Sequence, residues 1–290
     1  MKAANRRYLW RKRTEKTAHV VFFLANAMGI VVLAILLGQI LLSGCQWLDW
    51  QFITGFPSRF AAKAGIWPAI LGSLWMMALT ILFSVPVGIA TAIYLEEFAP
   101  KNFLRTIIQT NISNLAGVPS IVYGILGLAV FVRGLDLGRS ILAGSLTMTL
   151  LVLPVIIIST QEAIRTVPDS IKQASYALGA TRWQTVSRIV LPYAAPGILT
   201  GTILASSRAI GETAPLITVG AMAYVSSVPE GPMSRFTVLP IQIFNWTSRP
   251  QADFVGLAAA GIIVLLAVLL SLNAFAIYLR NKYQKGSEGL

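Results

Sequence analysis

Six long apolar stretches constrain this chain more than any other feature of its sequence. They lie at about 18–42, 68–95, 112–132, 140–160, 193–221 and 254–279. An α-helix of about 20 apolar residues is long enough to cross the hydrocarbon core of a bilayer. The chain is 56% hydrophobic and only 12% charged, a composition typical of membrane proteins. The sequence therefore predicts an all-α, polytopic membrane protein with six transmembrane helices.

The apolar stretches also divide the chain into segments. We expect a basic cytoplasmic tail over 1–17, a first transmembrane helix with an external loop over 18–67, a core domain of five transmembrane helices over 68–279, and a cytoplasmic tail over 280–290. The core includes short helices at 170–190 and an external loop at 222–253. Within that loop, 239–246 predicts a short interfacial helix or re-entrant piece, either a lid on its own protein or a platform for an external partner.

Lysine and arginine residues are unequally divided between the two sides of this topology. The two tails, the loop near 101–105 and the segment 165–188 carry sixteen of the 23, whereas the opposite loops carry six and Arg208 lies inside a span. Cytoplasmic loops are the side rich in these residues, so both termini are predicted to be cytoplasmic. This distribution accounts for the net charge of +12 without nucleic acid. In a topology without the third stretch, lysine and arginine would show no consistent excess on one side of the membrane.

Few residues in the chain are suited to catalysis or metal binding. There is one cysteine, Cys45, and one histidine, His19, so a disulfide within the chain, a histidine-based metal site and a Ser/His/Asp set are not expected. The phosphate-binding pattern Gly-x-x-x-x-Gly-Lys-[Ser/Thr] is missing from the sequence. We therefore predict no catalytic residues, no metal and no enzyme activity. Residues 42–45 resemble a lipoprotein cleavage box, but the apolar run before them exceeds a signal-peptide core, which favours a retained helix.

A basic segment between the fourth and fifth stretches, Ser170–Pro192, is called the elbow below. Capping boxes are predicted at Ser170–Gln173 and Thr181–Gln184, and Gly179 lies where a helix commonly ends in a left-handed residue. Two short amphipathic helices are therefore expected. One apolar face would comprise Ile171, Ala174 and Leu178, and the other Trp183, Val186 and Val190. Because neither helix could span a bilayer, the elbow is predicted to dock another protein.

Arg208 and Glu212 lie within the fifth apolar stretch, four residues apart and so on one face of a helix. A charge near mid-membrane costs at least about 2.5 kcal/mol, which marks it as a functional candidate. The pair could be a structural ion pair or part of an anion pathway, with Ser207 and Thr213 as neighbouring candidates. An arginine fork suits an oxyanion, and a carboxylate can accept a hydrogen bond from phosphate, which retains a proton near neutral pH, but not from sulfate.

Other charged residues occur at the ends of the predicted spans. Glu96 and Glu97, and Glu162 with Arg165, are expected to be solvated helix ends or local pairs, since exposed charge pairs contribute little.

The elbow resembles the cytoplasmic signature of ABC-importer permeases, Glu-Ala-Ala, three residues, Gly, nine residues, Ile, one residue, Leu-Pro. The corresponding residues are Gln173-Ala174-Ser175, Gly179, Ile189 and Leu191-Pro192, so that glutamine replaces the usual glutamate. The segments 92–100, 114–124 and 208–216 are similar to the permeases of bacterial phosphate importers. The run at 162–168 and Leu239-Pro240 resemble the A-type subunit of that family.

This resemblance implies a type I ABC importer permease (MetI-like) fold in the bacterial inner membrane. The implied function is that of a permease subunit of an ATP-driven importer of inorganic phosphate, with a second, C-type permease, a dimer of ATP-binding subunits and an external phosphate-binding protein as partners. ATP and Mg would be bound by the ATPase, and no cofactor by this chain. Coupling to the ATPase would use Ile171, Gln173, Ala174, Leu178, Gly179, Ala180 and Trp183. A permease for sulfate, molybdate or a phosphonate, and an ion-driven carrier or channel, are the alternatives.

Overall fold

The computed structural model, which describes the backbone of residues 2–221, 224–225 and 227–287, contains helices and no strand in these ranges. The α-helices are α1 (Lys2–Gly44), α2 (Trp50–Thr54), α3 (Trp67–Ile93), α4 (Phe103–Ala116), α5 (Ser120–Gly127), α6 (Ile141–Arg165), α7 (Asp169–Ala177), α8 (Arg182–Thr185), α9 (Leu191–Gly211), α10 (Ala214–Val219), α11 (Leu239–Thr247) and α12 (Asp253–Ser287). The chain continues as π-helix over Tyr94–Phe98, Leu128–Gly134 and Val186–Val190, and as 3₁₀-helix over Cys45–Trp47 and Ala61–Lys63.

Five helical segments in the described part of the chain are long and apolar enough to cross a membrane, and a bent pair of helices makes up a sixth. The five are Glu15–Trp47, Trp67–Phe98, Ile141–Arg165, Arg182–Gly211 and Asp253–Lys282. The all-α, polytopic prediction is confirmed.

The third predicted span, 112–132, is not one continuous helix. It belongs to two limbs, Phe103–Ala116 and Ser120–Gly134, that meet at 105°. The break falls at Pro119, which adopts extended backbone (ψ 137°) before α5. Proline has no amide proton to donate, and its ring disfavours helical geometry at the preceding residue, here Val118. The third predicted span is therefore divided between two helices, and it counts as a sixth membrane-spanning segment when the two limbs are taken as one span.

The fifth predicted span, 193–221, is also divided. α9 ends at Gly211, Glu212 is extended (ψ 129°), and α10 follows with Pro215 in its first turn. Within a continuous helix the Pro215 ring would clash with the carbonyl of Gly211, four residues earlier. The break places Glu212 just outside the helix that carries Arg208.

α6 forms the centre of the bundle, because two-thirds of its most apolar stretch is buried. It packs against α3, α5 and α9. The main core joins these helices to α10 and α11 through buried side chains such as Met148, Ile156, Leu216 and Ile241. A second hydrophobic cluster joins the segment between α1 and α3 to α11 and α12. In this cluster the ring centroids of Phe52 and Trp246 lie 5.7 Å apart. The short helix predicted at 239–246, within the 222–253 loop, is confirmed as α11, which buries Trp246 against this cluster.

Candidate functional site

The elbow consists of α7, a turn at Gly179, and α8 with the π-helical segment that follows it. Gly179 has a left-handed φ of +82°, as predicted. The capping box at Thr181 and Gln184 is confirmed: the Thr181 amide donates to the Gln184 Oε1 at 2.8 Å, and the Gln184 amide donates to the Thr181 Oγ1 at 3.3 Å. The first predicted capping box is wrong. Because extended Pro168 precedes the helix, α7 begins at Asp169, which leaves Ser170 inside the first turn.

One face of the elbow is exposed. Leu178 is 90% exposed and Trp183 60% exposed, and Ile171, Gln173 and Ala174 are exposed as well. Ala180 is half-buried beside the glycine turn. Large exposed apolar side chains grouped on one surface are typical of an interaction site. The predicted apolar face of the second helix is divided, because Val186 and Val190 are buried, whereas Trp183 lies on the surface near the Phe98 ring.

Three kinds of contact hold the elbow together and attach it to the bundle. The buried hydroxyl groups of Ser175 and Thr185 lie 2.9 Å apart and join α7 to α8. The Lys172 ammonium lies 2.6 Å from the Glu97 carboxylate, which joins α7 to the π-helical end of α3. Val186 and Val190 pack in a cluster that includes Ile164 at the end of α6. The elbow is therefore in direct contact with the ends of α3 and α6 and is continuous with α9.

Acidic residues near the elbow are more buried than the sequence suggests. The Glu96 side chain is 11% exposed and that of Glu97 9%; Glu96 accepts from Arg165 at 2.7 Å and from Arg105 at 3.4 Å. The expectation of solvated ends is wrong for these two glutamates. It fails because α4, α6 and α7 converge on the end of α3. Glu162 and Arg165 form the expected local pair, 2.9 Å apart, with both side chains substantially exposed.

Arg208 and Glu212 are in contact at the break after α9. The Arg208 Nε lies 3.4 Å from the Glu212 Oε1, with the arginine side chain 55% exposed and the glutamate 18% exposed. Within the described residues this long contact is the one ion pair of Arg208, so that its terminal guanidinium nitrogens can contact another anion. The Thr213 hydroxyl is 3.5 Å from the Gly211 carbonyl. The four candidate pathway residues thus lie along one short segment, at the opposite end of the Arg182–Gly211 helical segment from the elbow.

A polar residue of α12 that sequence reasoning missed lies beside this segment. The Ser207 hydroxyl donates to the Asn273 Oδ1 at 2.6 Å and is also 2.7 Å from the Ile203 carbonyl. A lone asparagine inside the last apolar stretch was the available signal, because polar side chains within spans usually have a partner or a function. In the described part of the chain, no three His, Cys, Asp or Glu side chains form a group that could hold a metal ion.

Solved structures of ABC transporters share this architecture. A bacterial alginate ABC transporter in complex with its alginate-bound periplasmic protein contains a chain that superposes with a TM-score of 0.67 at 17% identity, covering 94% of this chain and 97% of that one. An inward-facing methionine ABC transporter, MetNI, gives a TM-score of 0.60 at 17% identity over 75% of this chain and 97% of that one. The fold is therefore the MetI-like permease fold predicted from the sequence.

The sequence matches the family model described as the inner membrane component of binding-protein-dependent transport systems, over residues 84–285. The chain belongs to this family and is a multi-pass inner-membrane permease of an ABC importer. It is 34% identical to the probable ABC transporter permease YqgI of Bacillus subtilis, over 91% of this chain and 95% of that one. It is also 34% identical to the phosphate transport system permease PstA of Mycobacterium leprae (89% and 86%) and 31% identical to PstA of Yersinia pestis (95% and 93%).

Proposed function

We propose that this permease forms half of the translocation pathway of an ATP-driven importer of inorganic phosphate. The observation that carries the proposal is the similarity to PstA phosphate permeases along nearly the whole chain. The chemistry of the Arg208 and Glu212 side chains supports it. Arg208 offers donors to an oxyanion, and Glu212 offers an acceptor that a protonated phosphate can use and a sulfate cannot.

The elbow would be the surface that a separate ATP-binding subunit grips, through Ile171, Gln173, Ala174, Leu178, Gly179, Ala180 and Trp183. Its exposed apolar face supports this role, because an apolar surface of this kind is usually covered by a partner. ATP and Mg would be bound by that subunit. With the elbow and both termini on the cytoplasmic side, as the distribution of lysine and arginine favours, the ATPase would lie beneath the bundle.

Coupling would depend on the unbroken helical segment from Arg182 to Gly211. At 1.5 Å per residue, the 26 residue steps from Arg182 to Arg208 span about 39 Å. Closure of the ATPase pair on ATP would push the elbow, tilt this rod together with α6, and move Arg208 and Glu212 relative to the second permease. This is alternating access by rigid-body motion. The external phosphate-binding protein would select the substrate, so that the permeases need hold it only weakly.

The test is uptake of labelled phosphate by cells in which this importer is the only phosphate transporter. Unlabelled phosphate should compete and a hundredfold excess of sulfate should not. Competition by sulfate, molybdate or a phosphonate in place of phosphate would assign the permease to another oxyanion importer. Purification in mild detergent should recover a nucleotide-binding subunit and a second permease, and transport without either subunit would indicate an ion-driven carrier or channel.

A further inference from the structure

A basic cleft lies on the elbow side of the bundle, between the first half of α4 and the end of α6. It has a volume of about 470 Å³ and is lined by polar and basic side chains, among them Lys101, Arg105, Thr106, Gln109, Thr110 and Arg165. No acidic side chain is among the described residues that line it. The cleft lies apart from Arg208 and Glu212, which belong to the opposite end of α9.

The three cationic side chains in the cleft differ in how many carboxylates they contact. Arg165 is held by two carboxylates, at 2.7 Å from Glu96 and 2.9 Å from Glu162. Among the described residues, the Arg105 guanidinium forms one ion pair, a long contact of 3.4 Å between its Nη2 and Glu96. Lys101 is exposed and forms no ion pair within the described residues. The ammonium of Lys101 and the remaining N–H groups of Arg105 can therefore bind an additional anion.

Two hydroxyl groups in the cleft are available mainly as acceptors. The Thr106 hydroxyl donates to the Asn102 carbonyl at 3.3 Å, and the Thr110 hydroxyl donates to the Thr106 carbonyl at 2.9 Å. Gln109 is engaged in a reciprocal pair of amide hydrogen bonds with Gln161, at 3.0 and 2.8 Å. The free lone pairs of the threonine oxygens suit a ligand that carries hydroxyl donors beside its negative charge.

The border of the cleft is apolar and exposed. Phe103, which lines the cleft, is 80% exposed, and Ile107, four residues further along α4 on the same side, is also exposed. α4 is the first limb of a bent membrane segment, so these side chains face the surroundings of the bundle near one end of the span. A free inorganic anion would gain nothing from them, whereas an acyl chain would bury their surface.

We propose that this cleft binds the headgroup of an anionic glycerophospholipid with free hydroxyl groups, of which phosphatidylglycerol is the simplest case. Lys101 and Arg105 contact the phosphodiester, the oxygens of Thr106 and Thr110 accept from the headgroup hydroxyls, and the acyl chain lies over Phe103 and Ile107. Basic pockets of this kind between transmembrane helices bind anionic headgroups. The assignment holds whichever substrate the permease transports, because the transport pathway does not enter the argument.

Native mass spectrometry of the importer complex, reconstituted in nanodiscs of phosphatidylcholine and phosphatidylglycerol, measures the retained lipid. Lys101→Gln should retain about fivefold less phosphatidylglycerol than wild type, the change expected for loss of one cation at the membrane surface. Phe103→Ser should also lower retention, because it removes apolar contact without altering charge. Arg188→Gln, which removes an exposed cation from the elbow outside the cleft, is the matched control and should retain as much lipid as wild type.

The proposal is overturned if Lys101→Gln and Arg188→Gln retain equal amounts of phosphatidylglycerol. It is also overturned if millimolar inorganic phosphate displaces the lipid while Phe103→Ser has no effect, since the cleft would then take a free anion. Loss of the ATP-binding subunit from Lys101→Gln with lipid retention unchanged would overturn it as well, because the cleft would then be a protein interface.

Discussion

The ammonium group of Lys172 in α7 lies 2.6 Å from the carboxylate of Glu97 at the end of α3, and both side chains are largely buried. This ion pair links the elbow to a transmembrane helix that is 75 residues away in the sequence. A charged hydrogen bond of this kind contributes about 1.5–3 kcal/mol. We therefore expect it to contribute to holding α7 against the bundle.

Lys172→Gln should detach α7 and speed its local opening. With about 2 kcal/mol lost, amide hydrogen exchange over residues 170–178 should accelerate roughly thirtyfold, and substrate uptake should fall although the ATPase still binds. Exchange measured by mass spectrometry on the purified complex checks this. The exposed Arg188→Gln is the control, and the charge-swapped pair Lys172→Glu with Glu97→Lys should restore part of the protection. Unchanged exchange in Lys172→Gln would show that the ion pair does not hold the elbow.

Substitutions at Gly179 should separate backbone strain from side-chain crowding. An added Cβ would meet no heavy atom within 4 Å in this chain, so the cost arises from the left-handed φ of +82°. Most residues lose about 1–2 kcal/mol in this conformation, whereas asparagine tolerates it. Gly179→Leu should abolish uptake while the protein still inserts in the membrane, and Gly179→Asn should transport near the wild-type level. Equal loss in both variants would show that the turn has no room for any side chain once the partner is bound.

Gly124 should be indispensable for the packing of α5 against α10. A Cβ at this position would lie 2.6 Å from the Pro215 Cα and would also collide with the Thr218 hydroxyl. Because the obstacle includes backbone, Gly124→Ala should destabilise the protein by about 1–3 kcal/mol. Gly29→Ala is the matched control, since its Cβ would meet nothing within 4 Å and alanine favours a helix. Thermal unfolding in detergent measures both, and equal melting temperatures would contradict this packing.

Arg208 and Glu212 should affect transport in different ways. Arg208→Gln should reduce phosphate uptake at least tenfold, and Arg208→Lys should recover part of it, because lysine keeps the charge but loses the planar fork. Glu212→Gln should chiefly weaken discrimination against sulfate. The ratio of phosphate to sulfate uptake measures this effect, with recovery of the ATP-binding subunit as the control for assembly. If both variants had wild-type uptake and selectivity, Arg208 and Glu212 would form a structural ion pair with no role in transport.

The sequence predicts the number and approximate positions of the apolar segments because length and hydrophobicity alone decide whether a helix can span a bilayer. It does not predict where those segments break. Pro86, Pro154 and Pro196 lie inside helices. By contrast, Pro119 and Pro215 lie at the N-termini of α5 and α10, after a break in the preceding helix. Neighbouring helices decide which of these prolines is accommodated, since they must satisfy the backbone groups that a proline leaves free.

The local features of the elbow were predictable for a related reason. The turn at Gly179 and the capping box at Thr181 depend on residues within a few positions of each other. By contrast, the pairing of Lys172 with Glu97 and of Ser207 with Asn273 joins residues 75 and 66 positions apart. A single sequence can mark Asn273 as a polar residue inside a span, but it does not identify the partner. The pairing of Asn273 with Ser207 and the buried state of Glu96 and Glu97 were therefore found only in the structure.

Cross-linking from Ala174 tests most directly whether the elbow couples this permease to an ATPase. The native Cys45 is exposed, so the experiment uses a Cys45→Ala background with Ala174→Cys carrying a photoreactive label, and Gln251→Cys in a loop at the far end as the control. In native membranes, Ala174→Cys is predicted to capture a nucleotide-hydrolysing subunit and Gln251→Cys to capture none. Failure to capture such a subunit from Ala174, or equal capture from both positions, would contradict the coupling role of the elbow.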